Sequence, residues 1–229
     1  MIKVLNDGYV RLVDSMGDDL TIVNAARASF AKESTEMTDS DERLLKFIIR
    51  NKHDSCLRHC VVSFEVRAPL EVARQWYKHA VASTHLDDQL GWNEQSQRYV
   101  TQEHKFYVPE WFLGTPANKK QGAGDVVPEY VNDKFVSALM AHQTDSLNMY
   151  HAAMEAGIAA EQARLFLPAY GLYVNWRWTA SLNAIIHFLS LRLDGHAQYE
   201  IRQYAAAVDE AMSSLYPLTM SIVRSARKA

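Results

Sequence analysis

The stretch "CVVSFEVRAPLEVARQWYKH", residues 60–79, changes its hydrophobic period in mid-run, and that change constrains the fold more than any other feature. Up to Pro69 the residues alternate, with Cys60, Val62, Phe64 and Val66 on one face and Ser63, Glu65 and Arg67 on the other. A period of two is that of a strand buried on one side. Beyond Pro69, a residue that suits a first helical turn, Val72, Gln75, Trp76 and His79 recur at i, i+3, i+4 and i+7. A half-buried strand running straight into a helix points to an α+β chain. That helix face is mixed, because Gln75 and His79 share it with Val72 and Trp76.

The rest of the chain reads as helix-rich. An early strand is expected near residues 9–13, then a helix capped by Asp18 or Asp19 that carries Ile22, Ala25, Ala26 and, at its end, Ser29. "SDERLLKFIIRNK" predicts a second helix, with Ser40 or Asp39 as cap and Leu44, Leu45, Ile48 and Ile49 as its buried stripe. Periodicity is lost over residues 80–92, where "THLDDQLG" reads as a polar loop closed by Gly91, and a strand is expected again over 98–107. A Pro/Gly-rich segment from Pro109 to Pro128 reads as a surface loop. Helices are expected over 129–156, 159–166, 181–193 and 197–215, with "YGLYVNWRW" as a strand or irregular core segment between the second and third. The expectation is one domain, residues 1–229: helix-rich α+β with an antiparallel or mixed sheet.

Composition narrows the function. With 48% hydrophobic residues the chain can bury a substantial core, and a net charge of −3 leaves no global basic field for nucleic acid. A nucleotide suits scattered cations better. No leader sequence and no run of ~18 apolar residues is visible, so a cytoplasmic protein without membrane attachment is expected. Cys56 and Cys60 make no disulfide framework, and "HDSCLRHC", with His53, Cys56, His59 and Cys60, matches neither the CxxC nor the HExxH spacing, so no metal is expected.

With 9 glycines and no GxGxxG or Walker A pattern, a bound nucleotide must be held by side chains, and arginine is the natural instrument for its phosphate. Arg98, Arg164 and Arg192 are the candidates. Arg164 in "EQARLFLP" and Arg192 in "HFLSLRLDGHAQ" are flanked by apolar residues; each either sits partly buried with an anionic partner or snorkels from a helix flank. His187 and His196 read as ligands or proton donors, or as satisfied structural residues. Glu94, Asp87 and Asp88 read as acid/base groups or as a solvated loop.

"VARQWYKH" followed by "NEQSQRY" resembles the signature of the flavin-dependent thymidylate synthases, a QWxRHR helix running into an NExSxRY turn. "LVDSMGDDLTIVNAARASF", "VVSFEVRAPLEVARQW", "ARLFLP" and "LRLDGHAQYEIRQYA" resemble further family segments in the family's order, over about residues 9–206. The resemblance implies a non-Rossmann FAD-binding fold of the thymidylate synthase-complementing type and a homotetramer with sites shared between subunits. It implies reductive methylation of dUMP to dTMP, with methylenetetrahydrofolate as carbon donor and NADPH as reductant. Other deoxypyrimidine chemistry, such as hydroxymethylation, and a non-catalytic nucleotide-binding homologue are the alternatives.

Carried over by position, Gln75, Lys78, Glu94, Ser96, Arg98, Arg164 and Arg192 would contact dUMP, with Arg192 the catalytic group that polarises the pyrimidine. FAD would meet Ser29, Ser55, His79, Asn93, Glu94, Ser181, Asn183, His187 and His196, while His53 and Tyr99 would lie at the folate or nicotinamide face. The chain departs from the pattern in three places. Lys78, His79 and Ala80 stand for RHR, about eight extra residues precede Asn93, and Asn183 stands where an arginine is usual. Each change makes the flavin side less cationic, and compensation would fall to His85, Lys119 or Lys120.

Overall fold

The computed structural model describes residues 1–81, 89–95, 103–115 and 122–227. Among the described residues, five strands, β1 (Ile2–Val4), β2 (Gly8–Met16), β3 (Val61–Pro69), β4 (Gln89–Glu94) and β5 (Tyr173–Ser181), form one sheet in the order β1-β2-β3-β5-β4. Every pairing is antiparallel. The helices are α1 (Asp19–Arg27), α2 (Asp39–Arg50), α3 (Asp54–Leu57), α4 (Leu70–Val81), α5 (Glu129–Glu155), α6 (Ala160–Ala163), α7 (Leu182–Arg192), α8 (Tyr199–Leu215) and α9 (Pro217–Arg227).

The centre of the sheet is β3 against β5, paired continuously from Val61↔Ser181 to Pro69↔Tyr173. This register sets Phe64 opposite Trp178 and Val66 opposite Trp176, so the apolar face read from the alternation lies inward and is fully buried. Trp76 of α4 meets Trp176 and Trp178 edge-on at 5.4 and 5.3 Å and stacks on Phe188 of α7 at 4.5 Å. These rings fix α4 and α7 against one face of the sheet, chiefly through the apolar area they remove from water. α8 is tied on by Tyr204, whose hydroxyl donates to the Arg67 carbonyl at 2.9 Å. A side chain at Gly8 would overlap that hydroxyl, so β2 requires glycine there.

The opposite face of β3 carries the polar residues. Tyr9 donates to Glu65 at 2.7 Å, Arg11 pairs with the same carboxylate, and Arg177 stands 3.6 Å from it.

Several local expectations change. Asp18 does cap α1, within a capping box with Thr21. α2, however, is capped by Thr38 rather than Ser40 or Asp39: Thr38 has the extended backbone a cap needs, while Asp39 and Ser40 are already helical. Residues 89–94 are a strand, not a loop. Trp92 stacks on Trp176 at 5.0 Å, and this packing on β5 outweighs the weak strand pattern around Gly91. The strand expected over 98–107 is not seen in its described part; residues 103–107 contribute one bridge, Phe106 to Leu172, and the remainder lies outside the described residues. Helix resumes as α9 at Pro217, which occupies a first helical position.

Candidate active site

α7 begins at a buried cap and ends at a half-buried cation. Ser181 accepts from the Ala184 amide at 3.2 Å, and Arg192 lies in the last turn, where the helix dipole favours positive charge. Arg192 was expected to find an anionic partner if buried; instead it reaches two neutral acceptors on α4. Its Nε donates to His79 Nε2 at 2.8 Å, and one Nη makes a longer contact, 3.5 Å, with the Gln75 carbonyl. Gln75 and His79 stand one turn apart on α4, so a single helix edge supplies both. His79 is only 6% exposed. Burial first, then Arg192, then His187, push its imidazole down to about 4, so it is neutral at physiological pH.

Beside Arg192 lies a cavity of about 780 Å³ whose walls include Gln75, Phe112, Arg192, His196, Gln198 and Tyr199. That volume suits a nucleotide-sized ligand. The polar wall is a chain with a defined direction. Tyr107 donates to Glu200 at 3.1 Å, and Gln198 Nε2 donates to the other Glu200 oxygen at 2.8 Å. With its Nε2 turned to Glu200, the Gln198 amide presents its oxygen to Gln75, whose Nε2 donates to it at 2.5 Å. Glu200 thereby determines, two amides away, how Gln75 faces the cavity. Glu71 lies near the same group; burial, then the Glu200 charge, raise its carboxyl above the ordinary range.

The expected site residues fall into separate groups. Gln75, Arg192 and His196 line the cavity, with His79 directly behind Arg192 and Lys78 exposed on α4. His196 pairs with Asp194 at 2.8 Å. Ser181 and Asn183 are buried at the start of α7, and the His187 ring stands 6.0 Å from His79. Ser29, His53 and Ser55 are exposed on the α1–α3 side. Asn93 and Glu94, on β4, border a second depression of about 500 Å³ with Tyr9, Glu65, Asn175 and Arg177. Burial raises the Glu94 carboxyl. Arg164 is exposed, not partly buried, and its Nε donates to the Glu161 carbonyl at 3.1 Å. Ser96, Arg98, Tyr99, His85, Asp87, Asp88, Lys119 and Lys120 lie outside the described residues.

A cavity walled by a fixed arginine and an oriented amide, on a helix-backed antiparallel sheet, can be compared with known proteins. Residues 11–218 match the family of the thymidylate synthase complementing protein. The chain belongs to that family. Its relatives include the flavin-dependent thymidylate synthases of Thermus thermophilus, 39% identical over 95% of this chain and 76% of the relative, and of Thermotoga neapolitana, 38% identical over 95% and 91%. A solved structure of the UMP/dUMP methylase PolB from Streptomyces cacaoi, bound with 5-Br UMP, is 29% identical, with a TM-score of 0.82 over 98% of this chain and 96% of that one. The resemblance read from the sequence and the expected α+β fold are thus both found.

Within this family frame, the sequence reading missed Tyr107, Phe112, Gln198, Tyr199 and Glu200. Three of them stand in "HAQYE", where His196 alone was singled out. Glu200 carried a signal: a carboxylate between Tyr199 and Ile201 in a helix's first turn, which reads as dipole compensation until its burial is known.

Proposed function

We propose that this chain is a flavin-dependent thymidylate synthase: a single domain over residues 1–229 that converts dUMP to dTMP with FAD, methylenetetrahydrofolate and NADPH, acting in the cytoplasm as a homotetramer with shared sites. The observation that carries this reading is Arg192, a half-buried guanidinium held at the wall of a nucleotide-sized cavity beside Gln75. Uracil C5 is a weak nucleophile, and a cation hydrogen-bonded to the ring's amide system stabilises the charge that develops there. Gln75 meets the ligand from the same wall.

The residues fit a flavin on α7, where Asn183 and His187 stand one turn apart with the chemistry to hydrogen-bond a ring or a phosphate. Ser181 fits less well, because its hydroxyl accepts from Ala184 as a cap. When bound, reduced flavin supplies the reducing equivalents that complete the methyl group. The separation of Asn93, Glu94 and Arg164 from the cavity supports sites completed between subunits, and Lys78, Ser96 and Arg98 are assigned to the nucleotide with them. Ser29, Ser55 and His196 are assigned to the flavin, and His53 and Tyr99 to the folate or nicotinamide face.

The test is direct. Purified protein should carry flavin absorbance that NADPH bleaches, and with dUMP and methylenetetrahydrofolate it should yield dTMP by mass spectrometry. Colourless protein that takes up no FAD and forms no product refutes the reading. The likeness to a methylase of both UMP and dUMP favours a second reading, in which UMP is also a substrate; parallel assays with UMP decide it.

A further inference from the structure

We propose that His79 is a positioning residue for Arg192, holding the guanidinium at the orientation the pyrimidine meets. The inference rests on the reading of Arg192 given above. His79 Nε2 accepts from Arg192 Nε at 2.8 Å, and the ring is 6% exposed. The edge-to-face contact of His79 with Phe188, at 5.3 Å and 83°, pins the ring to a side chain that is itself stacked on Trp76. Turning the imidazole away would break this contact and leave the Arg192 Nε–H without its acceptor, in a half-buried setting where unmade hydrogen bonds are costly.

The chemistry explains why the partner is histidine. A carboxylate would orient Arg192 and also neutralise it. A neutral imidazole orients the guanidinium and leaves its whole charge, with the Nη groups, for the ligand. Accepting at Nε2 places the imidazole proton on Nδ1. A protonated ring would have no lone pair to offer and would set two cations in contact. The charged or titratable groups facing His79 from α7 are Arg192 and His187, and both favour the neutral ring. On α4 itself the neighbouring acceptor is the Gln75 carbonyl, a neutral group that serves the same arginine.

The experiment compares full-length His79→Ala, His79→Gln, Arg192→Ala and the double variant His79→Ala/Arg192→Ala, each as purified. It measures flavin occupancy by absorbance, dUMP affinity by calorimetry, and kcat and KM for dUMP. We expect His79→Ala to keep its flavin and lose about 10²-fold in kcat, the order of loss that follows misplacement of a reacting group. His79→Gln, whose amide oxygen can accept from Arg192, should recover most of that loss. The double variant should be no worse than Arg192→Ala, because the two residues act as one unit. Loss of flavin in His79→Ala with normal turnover per bound flavin, or additive losses in the double variant, would overturn the proposal. Should His79→Ala fail to fold, His79→Gln decides alone: wild-type kcat and flavin occupancy support positioning, and flavin loss refutes it. Wild-type protein that neither binds nor converts dUMP or UMP sinks the functional reading instead, a result separate from all of these.

Discussion

The end of α4 and the strand β4 belong to one sequence motif, yet different physics holds them. Gln75, Trp76 and His79 are set by core packing: Trp76 is buried among three other rings, and everything one turn away from it is placed by that anchor. Asn93 and Glu94, on the edge strand, are set by sheet register, through pairing with Arg177 and Trp176 of β5. The first half faces the large cavity and the second a depression beside the polar sheet face. The two halves touch where Tyr77 of α4 meets Trp92 of β4 at 5.3 Å, yet their polar side chains border different cavities, and each half is expected to respond to substitution in its own way.

Trp76→Ala should have the largest effect. Removing a fully buried tryptophan from the contact of sheet, α4 and α7 costs about 3–5 kcal/mol, read by denaturant unfolding. Trp92→Ala, on the edge strand, should cost clearly less; equal losses would erase the contrast. Arg192→Ala comes next, with kcat lower by about 10²–10³-fold and the melting temperature nearly unchanged. Full activity in that variant would refute its role.

Glu200→Gln should sharpen the comparison from within the cavity. An amide at that position can donate as well as accept, so the orientation of Gln198, and with it that of Gln75, is released. We expect dUMP affinity to fall about tenfold, within the range for a misoriented buried hydrogen bond, as measured by calorimetry. Asn93→Ala, at the exposed strand, should leave stability within about 0.5 kcal/mol in the same unfolding assay.

A final effect is one of pH. His79 titrates at about 4 in the folded chain against 6.5 ordinarily, so between these values the unfolded chain binds more protons. Its contribution to stability is complete above 6.5 and is lost as the pH falls toward 4. Melting temperatures recorded across this window should show a shallower slope in His79→Gln; an unchanged slope would assign the acid sensitivity to other groups.

The sequence by itself determined the β3–α4 junction and its buried face, a cap at Asp18 or Asp19, the helices α5 to α8 and the family, because each rests on local periodicity, a turn residue or a contiguous motif. It also placed Arg192 among the candidates. Only the tertiary structure decided that the partner of Arg192 is a neutral imidazole, 113 residues away in the chain, and that Glu200 orients Gln75 through Gln198. It alone decided that residues 89–94 form a strand on β5. Local pattern records which face of an element is apolar. It does not record which polar groups from distant elements meet once those faces are packed, and the chemistry of this site lies in those meetings.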